Sequence, residues 1–206
     1  MPRHLPLPII YPITSGKNIL ELVEAAVAAR VPLFQIREKQ LSGRALYELT
    51  TRALEITRGT ETRLLINDRS DIASAAGASG VHLTTQSLPA SVVRNIYGPE
   101  FLIGVSTHSR EEALAAQAGG ADFIVFGPVF ETESKREFGE PQGLERLQEL
   151  TSELRDFPVV AIGGIALDNV EACFAAGASG VAAIRLLNDA GGMVSVVEVI
   201  RSGFKL

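Results

Sequence analysis

Cysteine is nearly absent from this chain. Its 206 residues hold one, Cys173, so no disulfide forms within the chain, and the small bridge-stapled secreted folds are excluded. A free Cys inside the helical run "DNVEACFAAGA" reads as a small buried hydrophobe, not a nucleophile. Long hydrophobic runs are missing too: nothing approaches the ~18 apolar residues of a membrane-spanning helix. The opening "MPRHLPLPIIYPI" carries four prolines and no continuous apolar centre, which is not the pattern of a secretory leader. Positive charge is short as well, with 19 Lys and Arg against 24 Asp and Glu. That balance argues against a nucleic-acid or membrane-surface partner but leaves room for a local basic pocket. These absences predict a cytoplasmic globular protein.

What is present is a repeated alternation. Apolar runs rich in Val, Ile and Phe recur eight times: "LPIIYPIT", "PLFQI", "RLLIN", "GVHL", "FLIGVS", "DFIVFG", "PVVAIGG" and "GVAAI". Between them lie stretches of helical period such as "NILELVEAAVAAR" and "REEALAAQAGG". Strand and helix in alternation build a parallel sheet, and eight such units at this length predict a single-domain (β/α)8 TIM barrel over residues 1–206. An internal echo agrees: "GASGV" occurs at Gly77 to Val81 and again at Gly177 to Val181, before the fourth and eighth runs. A helix-ending Gly, a short turn and a strand are what such a connection requires. The competing doubly wound sheet lacks its Gly-rich dinucleotide turn after the first strand.

Barrels of this type carry their chemistry at the C-terminal ends of the strands. Strand 2 leaves the barrel through Gln35, Arg37 and Lys39, which period-2 alternation puts on one face. Strand 3 ends in Asn67 and Asp68, strand 4 in His82, Thr84 and Thr85, and strand 5 in Ser106 and His108. After strand 6 comes a long loop, "PVFETESKREFGEPQG", with hydroxyls at Thr132 and Ser134 and a cation at Lys135. Loops of that length are often lids or binding loops. Strand 7 ends in Gly163 and Gly164, with Leu167 and Asp168 expected to start the next helix; strand 8 ends in Ile184 and Arg185. Backbone N–H groups at such a glycine turn suit a phosphate. Read singly, each feature has a plainer meaning: Arg37 to Lys39 a solvated loop start, "INDR" a turn, His82 a satisfied core residue. Their convergence on one rim points to a site for an anionic ligand.

Taken in order, "QIREK", "LLINDRSDIA", "GVHL", "IGVSTHSREEA", "ADFIVFGPVFETESK", "VVAIGGI" and "GASGVAAI" resemble the thiamine phosphate synthases and their TenI-type thiazole tautomerase relatives, over roughly Tyr11 to Asn188. The resemblance implies a barrel that joins a hydroxymethylpyrimidine diphosphate to a thiazole phosphate and releases pyrophosphate with help from Mg²⁺. Its partners are then small phosphorylated pyrimidine and thiazole substrates; oligomeric state is not addressed. It implies that Gln35 lies by the pyrimidine and that Arg37, Lys39, Asn67, Ser106 and Lys135 meet the diphosphate, with Ser106 and Lys135 catalytic. Thr132 and Ser134 match hydroxyls holding the thiazole end, and Gly164, Ile184 and Arg185 its phosphate. Asp68 matches a magnesium carboxylate.

The chain departs from the pattern twice. Where synthases place a second magnesium carboxylate, "GVHL" is followed by "TTQSLP", with Ser87 at that position. Arg185 stands where a Ser is usual. Ser87 and "VFETESK" lean toward the tautomerase branch, in which a His matching His108 moves a proton without Mg²⁺. Asn67, Asp68, Arg37, Lys39 and Lys135 lean toward a retained diphosphate site. Synthase is the expected activity, and tautomerase or a non-catalytic thiamine-phosphate-binding module the alternatives.

Overall fold

The structure, a computed structural model, describes residues 5–132 and 140–204. Four strand–helix units make the first half: β1 Ile9–Pro12 with α1 Ile19–Ala28, β2 Leu33–Ile36 with α2 Gly43–Thr57, β3 Arg63–Asn67 with α3 Ser70–Ala76, and β4 Gly80–Leu83 with α4 Ala90–Tyr97. Four make the second: β5 Leu102–Thr107 with α5 Arg110–Ala118, β6 Phe123–Phe126 with α6 Gly143–Glu153, β7 Val159–Ile162 with α7 Val170–Ala175, and β8 Gly180–Ala183 with α8 Met193–Gly203. The strands pair in parallel in the order β1-β8-β7-β6-β5-β4-β3-β2. The two ends of the sheet meet at one parallel bridge, Ile13 to Gln35, where the Thr14 N–H donates to the Gln35 carbonyl at 3.0 Å. The expected (β/α)8 barrel is formed.

Alternation along each strand divides the core in two. Ile9, Tyr11, Leu33, Leu65, Leu102 and Phe123 point into the barrel and pack on one another. Ile10, Phe34, Leu64, Ile66 and Val81 point outward, against the apolar stripes of the helices, such as Leu22, Val23 and Ala26 of α1. Burial on both faces is why these strands read as near-continuous apolar runs. Each large side chain removed from water contributes about 1.5–3 kcal/mol, so the wall of the barrel holds the fold more than any one helix. Cys173 lies in the outer layer at 0% exposure, and burial pushes its thiol up to about 12; it is a packing residue, as expected.

The repeated "GASGV" is a true structural repeat. After α3 the Gly77 N–H donates to Ser74 and the Ala78 N–H to Ala73; after α7 the Gly177 N–H donates to Phe174 and the Ala178 N–H to Cys173. The looser copy after α5 makes the same pair of bonds, from Gly120 to Gln117 and from Ala121 to Ala116. All three glycines are left-handed, with φ of 79°, 86° and 83°, the conformation that ends a helix while satisfying its last carbonyls. One local device therefore returns the chain to the barrel floor three times.

Candidate active site at the barrel mouth

A cavity of about 1090 Å³ opens at the C-terminal ends of the strands. Gln35, Arg37, Lys39 and Asn67 line it from one side, and Ser106, His108 and Thr132 from another. Gly164, Ile184 and Arg185 line the strand-7 and strand-8 side. These residues come from six strands or the loops that follow them, and the barrel brings them together as the strand-end reading expects. Lys135 and Ser134 lie outside the described residues.

The run of three charges after β2 is resolved by its middle member. Glu38 turns toward β1: its Oε1 accepts from Thr14 Oγ1 at 2.6 Å and from the Gly16 N–H at 3.2 Å. Thr14 Oγ1 in turn accepts from the Arg37 N–H at 2.9 Å. Glu38 thus clamps the β1 loop to the end of β2, where the sheet closes, and the flanking Arg37 and Lys39 project from a fixed backbone into the mouth. Rigid placement of a charge lowers the entropy lost when an ion binds.

Beneath the mouth runs a chain of buried polar groups. Gln35 Nε2 donates to the Tyr11 hydroxyl at 3.1 Å, Tyr11 Oη lies 3.3 Å from His82 Nδ1, and His82 Nε2 lies 2.8 Å from Ser106 Oγ. Tyr11 is fully buried, Gln35 and His82 nearly so. Burial, and after it the positive charge of Arg37, holds His82 far below its ordinary value, at about 3. Burial raises the Tyr11 hydroxyl above the tyrosine range. Both groups stay neutral at working pH, so the floor presents dipoles and the rim presents charge.

The rim beside Asn67 holds the departing pair. Asp68 adopts a left-handed φ of 62°, and its N–H donates to the His82 carbonyl at 2.9 Å. Ser87 Oγ donates to Asp68 Oδ1 at 2.5 Å and accepts from the Thr84 N–H at 2.8 Å. Ser87 therefore orients the carboxylate that remains. Neither residue is part of the cavity wall, though Thr84 is. Among the described residues no group of three His, Cys, Asp or Glu is placed to hold a metal by itself.

Ser109 caps α5 by accepting from the Glu112 N–H at 3.2 Å, and Glu112 reaches back to the His108 N–H at 2.6 Å. The cap and the Glu112 bond together fix where His108 enters the mouth. His108 Nδ1 donates to the Gly127 carbonyl at 2.5 Å, which leaves Nε2 as the ring's other contact point.

Two expectations need correction. Leu167 and Asp168 do not start α7, which begins at Val170 and is six residues long. The Asn169 side chain occupies the preceding turn: Oδ1 accepts from the Ala166 N–H and Nδ2 donates to the Gly164 carbonyl, both at 2.9 Å. So short a helix has little dipole to offer a phosphate, and the glycine turn itself is the better candidate. There Gly163 and Gly164 have φ of 96° and 66°, and a Cβ on Gly164 would stand 2.6 Å from Phe130 Cβ. Strand 8 also stops earlier than read, at Ala183. Asn188 Nδ2 takes the Ile184 and Ile13 carbonyls, at 2.7 and 2.8 Å, and Arg185 opens a 3₁₀ turn, Arg185–Leu187.

Sequence reasoning missed Tyr11 and left His82 unassigned. The available signal was inward register: Tyr11 alternates with Ile9 and Ile13, and a hydroxyl buried at such a position requires a partner.

Comparison with known proteins follows the same outline. The model of a family described as thiamine monophosphate synthase matches residues 8–187. A relative from Geobacter sulfurreducens is 50% identical over 169 residues, which are 82% of this chain and 79% of the relative. A Moorella thermoacetica protein named thiamine-phosphate synthase is 40% identical over 186 residues, 90% of this chain and 88% of that protein. Among solved structures, a thiamine phosphate pyrophosphorylase from Pyrococcus furiosus superposes with a TM-score of 0.85 at 30% identity, covering 96% of this chain and 98% of the other.

Proposed function

Because this chain belongs to the thiamine monophosphate synthase family, we propose that its barrel mouth joins a hydroxymethylpyrimidine diphosphate to a thiazole phosphate. The bond between the pyrimidine methylene and the diphosphate oxygen breaks, with both electrons leaving on that oxygen. The thiazole nitrogen supplies the pair for the new bond to the methylene, and pyrophosphate departs. The observation that carries the reading is the convergence of Arg37, Lys39, Asn67 and Ser106 on one cavity. Negative charge grows on the leaving diphosphate, and donors held in place before the reaction stabilise it without reorganising.

In this reading Gln35 meets the pyrimidine. Arg37 and Lys39 neutralise the diphosphate, Asn67 and Ser106 donate hydrogen bonds to it, and Thr132 orients the thiazole end. The Gly163–Gly164 turn, Ile184 and Arg185 receive the thiazole phosphate. Small phosphorylated substrates suit a net-acidic chain with a basic mouth, and the reading sets the enzyme in the cytoplasm. No described helix is long and apolar enough to cross a membrane.

The residues present fit Mg²⁺ in a reduced form. Magnesium is commonly held by one or two carboxylates together with substrate phosphate oxygens and waters. Asp68, oriented by Ser87, supplies one hard oxygen site, and the diphosphate would supply others. When bound, the ion would neutralise charge on the leaving group. With Ser87 in place of a second carboxylate, its affinity should be low.

Incubation with both substrates, with and without Mg²⁺, tests the reading. Thiamine phosphate and pyrophosphate should form in equal amounts, and a chelator should slow the reaction. Chelator-insensitive proton exchange on a carboxythiazole phosphate, lost in His108→Asn, would instead establish the tautomerase alternative.

A further inference from the structure

The hydrogen-bond chain beneath the mouth has a direction, set by what each group is able to do. It begins at Gln35 Nε2, an amide nitrogen that only donates, so the Tyr11 oxygen accepts there. Tyr11 has one proton, and His82 Nδ1, 3.3 Å away, is the neighbour placed to accept it. A ring nitrogen that accepts carries no proton, so the neutral imidazole keeps its proton on Nε2. From Nε2 it donates to Ser106 Oγ at 2.8 Å. The Ser106 oxygen is thereby occupied as an acceptor, and its own O–H is left to be donated elsewhere, with the cavity on its open side. We propose that Tyr11 and His82 are positioning residues, forming a one-way relay that holds Ser106 as a hydrogen-bond donor to an anionic phosphate group in the mouth.

Packing keeps the relay in register. The His82 ring is held between Tyr11 and Phe123, with ring centroids 5.6 and 6.2 Å away. Opposite it in the ladder is Gly104, where a Cβ would stand 2.8 Å from His82 Nδ1 and 2.4 Å from Phe123 Cζ. A side chain at that position would push the imidazole off its partners. The ring is buried at 2% exposure with a hydroxyl beside each nitrogen, and a neutral imidazole there holds one proton and one lone pair, the condition a directional relay needs. Linked hydrogen bonds polarise one another in a low-dielectric interior, so Ser106 becomes a better donor than an isolated serine. The relay also joins two parts of the site: Gln35 is one end and Ser106 the other. A reversed chain would make Ser106 donate to His82 and show the mouth a lone pair, which repels a phosphate.

The proposal rests on the synthase reading only for the identity of the anion, so its test uses pyrophosphate binding and a spectroscopic readout instead of turnover. Nitrogen-15 NMR of the imidazole should show the Nε2–H tautomer of His82 in the wild-type protein, with Nδ1 unprotonated. Tyr11→Phe should mix the tautomers and weaken pyrophosphate binding by roughly tenfold, the size of one hydrogen bond to a charged group. Ser106→Ala should weaken it similarly, and adding Tyr11→Phe to Ser106→Ala should cause little further loss. An Nδ1–H tautomer in the wild type would overturn the relay, as would losses from the two substitutions that simply multiply. The wild-type tautomer decides the matter even if Tyr11→Phe folds poorly. Absence of turnover, with the tautomer and the binding cycle as expected, would defeat the synthase reading while leaving the relay standing.

Discussion

Breaking the ion pair between Arg94 and Asp122 tests whether the two ends of this barrel have separate tasks. Arg94 lies on α4 and Asp122 immediately precedes β6, at the end of the barrel opposite the mouth. The guanidinium donates to the Gly98 and Phe101 carbonyls at 2.7 Å, to Gly120 at 2.9 and 3.1 Å, and to Asp122 Oδ2 at 2.7 Å. Asp122 Oδ2 also accepts from the Ile103 N–H at 2.7 Å. The two side chains are only 19% and 8% exposed, so water screens the pair weakly. Asp122→Ala removes the counter-charge from Arg94 and strands a buried N–H at the start of β5. Removing one partner of a buried pair costs about 3–5 kcal/mol. In a domain of this length each kcal/mol lowers the melting temperature by about 2–4 °C, so a fall of about 6–20 °C is expected. Asp122→Asn keeps an acceptor for Ile103 and should lose less. Thermal unfolding followed by circular dichroism measures the loss, and turnover well below the transition should be unchanged. A melting point within about 3 °C of wild type would refute the reasoning, and so would lost turnover in a protein of intact stability.

Four further outcomes are expected. Ser87→Asp should lower the Mg²⁺ concentration needed for half-maximal thiamine phosphate formation, because a second hard carboxylate oxygen strengthens binding; an unchanged or higher requirement counts against a magnesium role for Asp68. Gly164→Ala should raise the KM for the thiazole phosphate more than for the diphosphate, since its Cβ would meet Phe130 Cβ at 2.6 Å and strain the turn; equal effects on both would move the phosphate elsewhere. Cys173, buried and with its thiol pushed up to about 12, should resist alkylation in the native protein and react on unfolding; rapid native labelling would contradict its packing role. Stability should fall in acid through His82: its value is about 3 in the fold against 6.5 ordinarily, so the unfolded chain binds a proton the folded one excludes. That contribution is complete above about pH 6.5 and is lost as pH falls toward about 3. His82→Gln should flatten the decline of melting temperature over that window, and an unaltered decline would show that other groups cause it.

The sequence by itself determined the barrel and the composition of its mouth. Strand and helix periods are local properties of ten or so residues, and helix-ending glycines such as Gly77 and Gly177 act through bonds to residues three to five positions away. Once eight parallel strands are granted, the residues at their C-terminal ends must share one rim, so Gln35, Arg37, Asn67 and Ser106 were legible as neighbours. Tertiary structure alone decided which of them touch, and through what. Tyr11 meets His82 across 71 positions, His82 meets Ser106 across 24, and Ser87 meets Asp68 across 19. It also decided that strand 8 gives way at Ile184, where Asn188 takes two carbonyls, one of them Ile13, 175 positions away. Such pairings depend on the stagger between neighbouring strands and on how the sheet closes at Ile13 and Gln35. Stagger is set by packing the whole barrel at once, and no local period of residues encodes it.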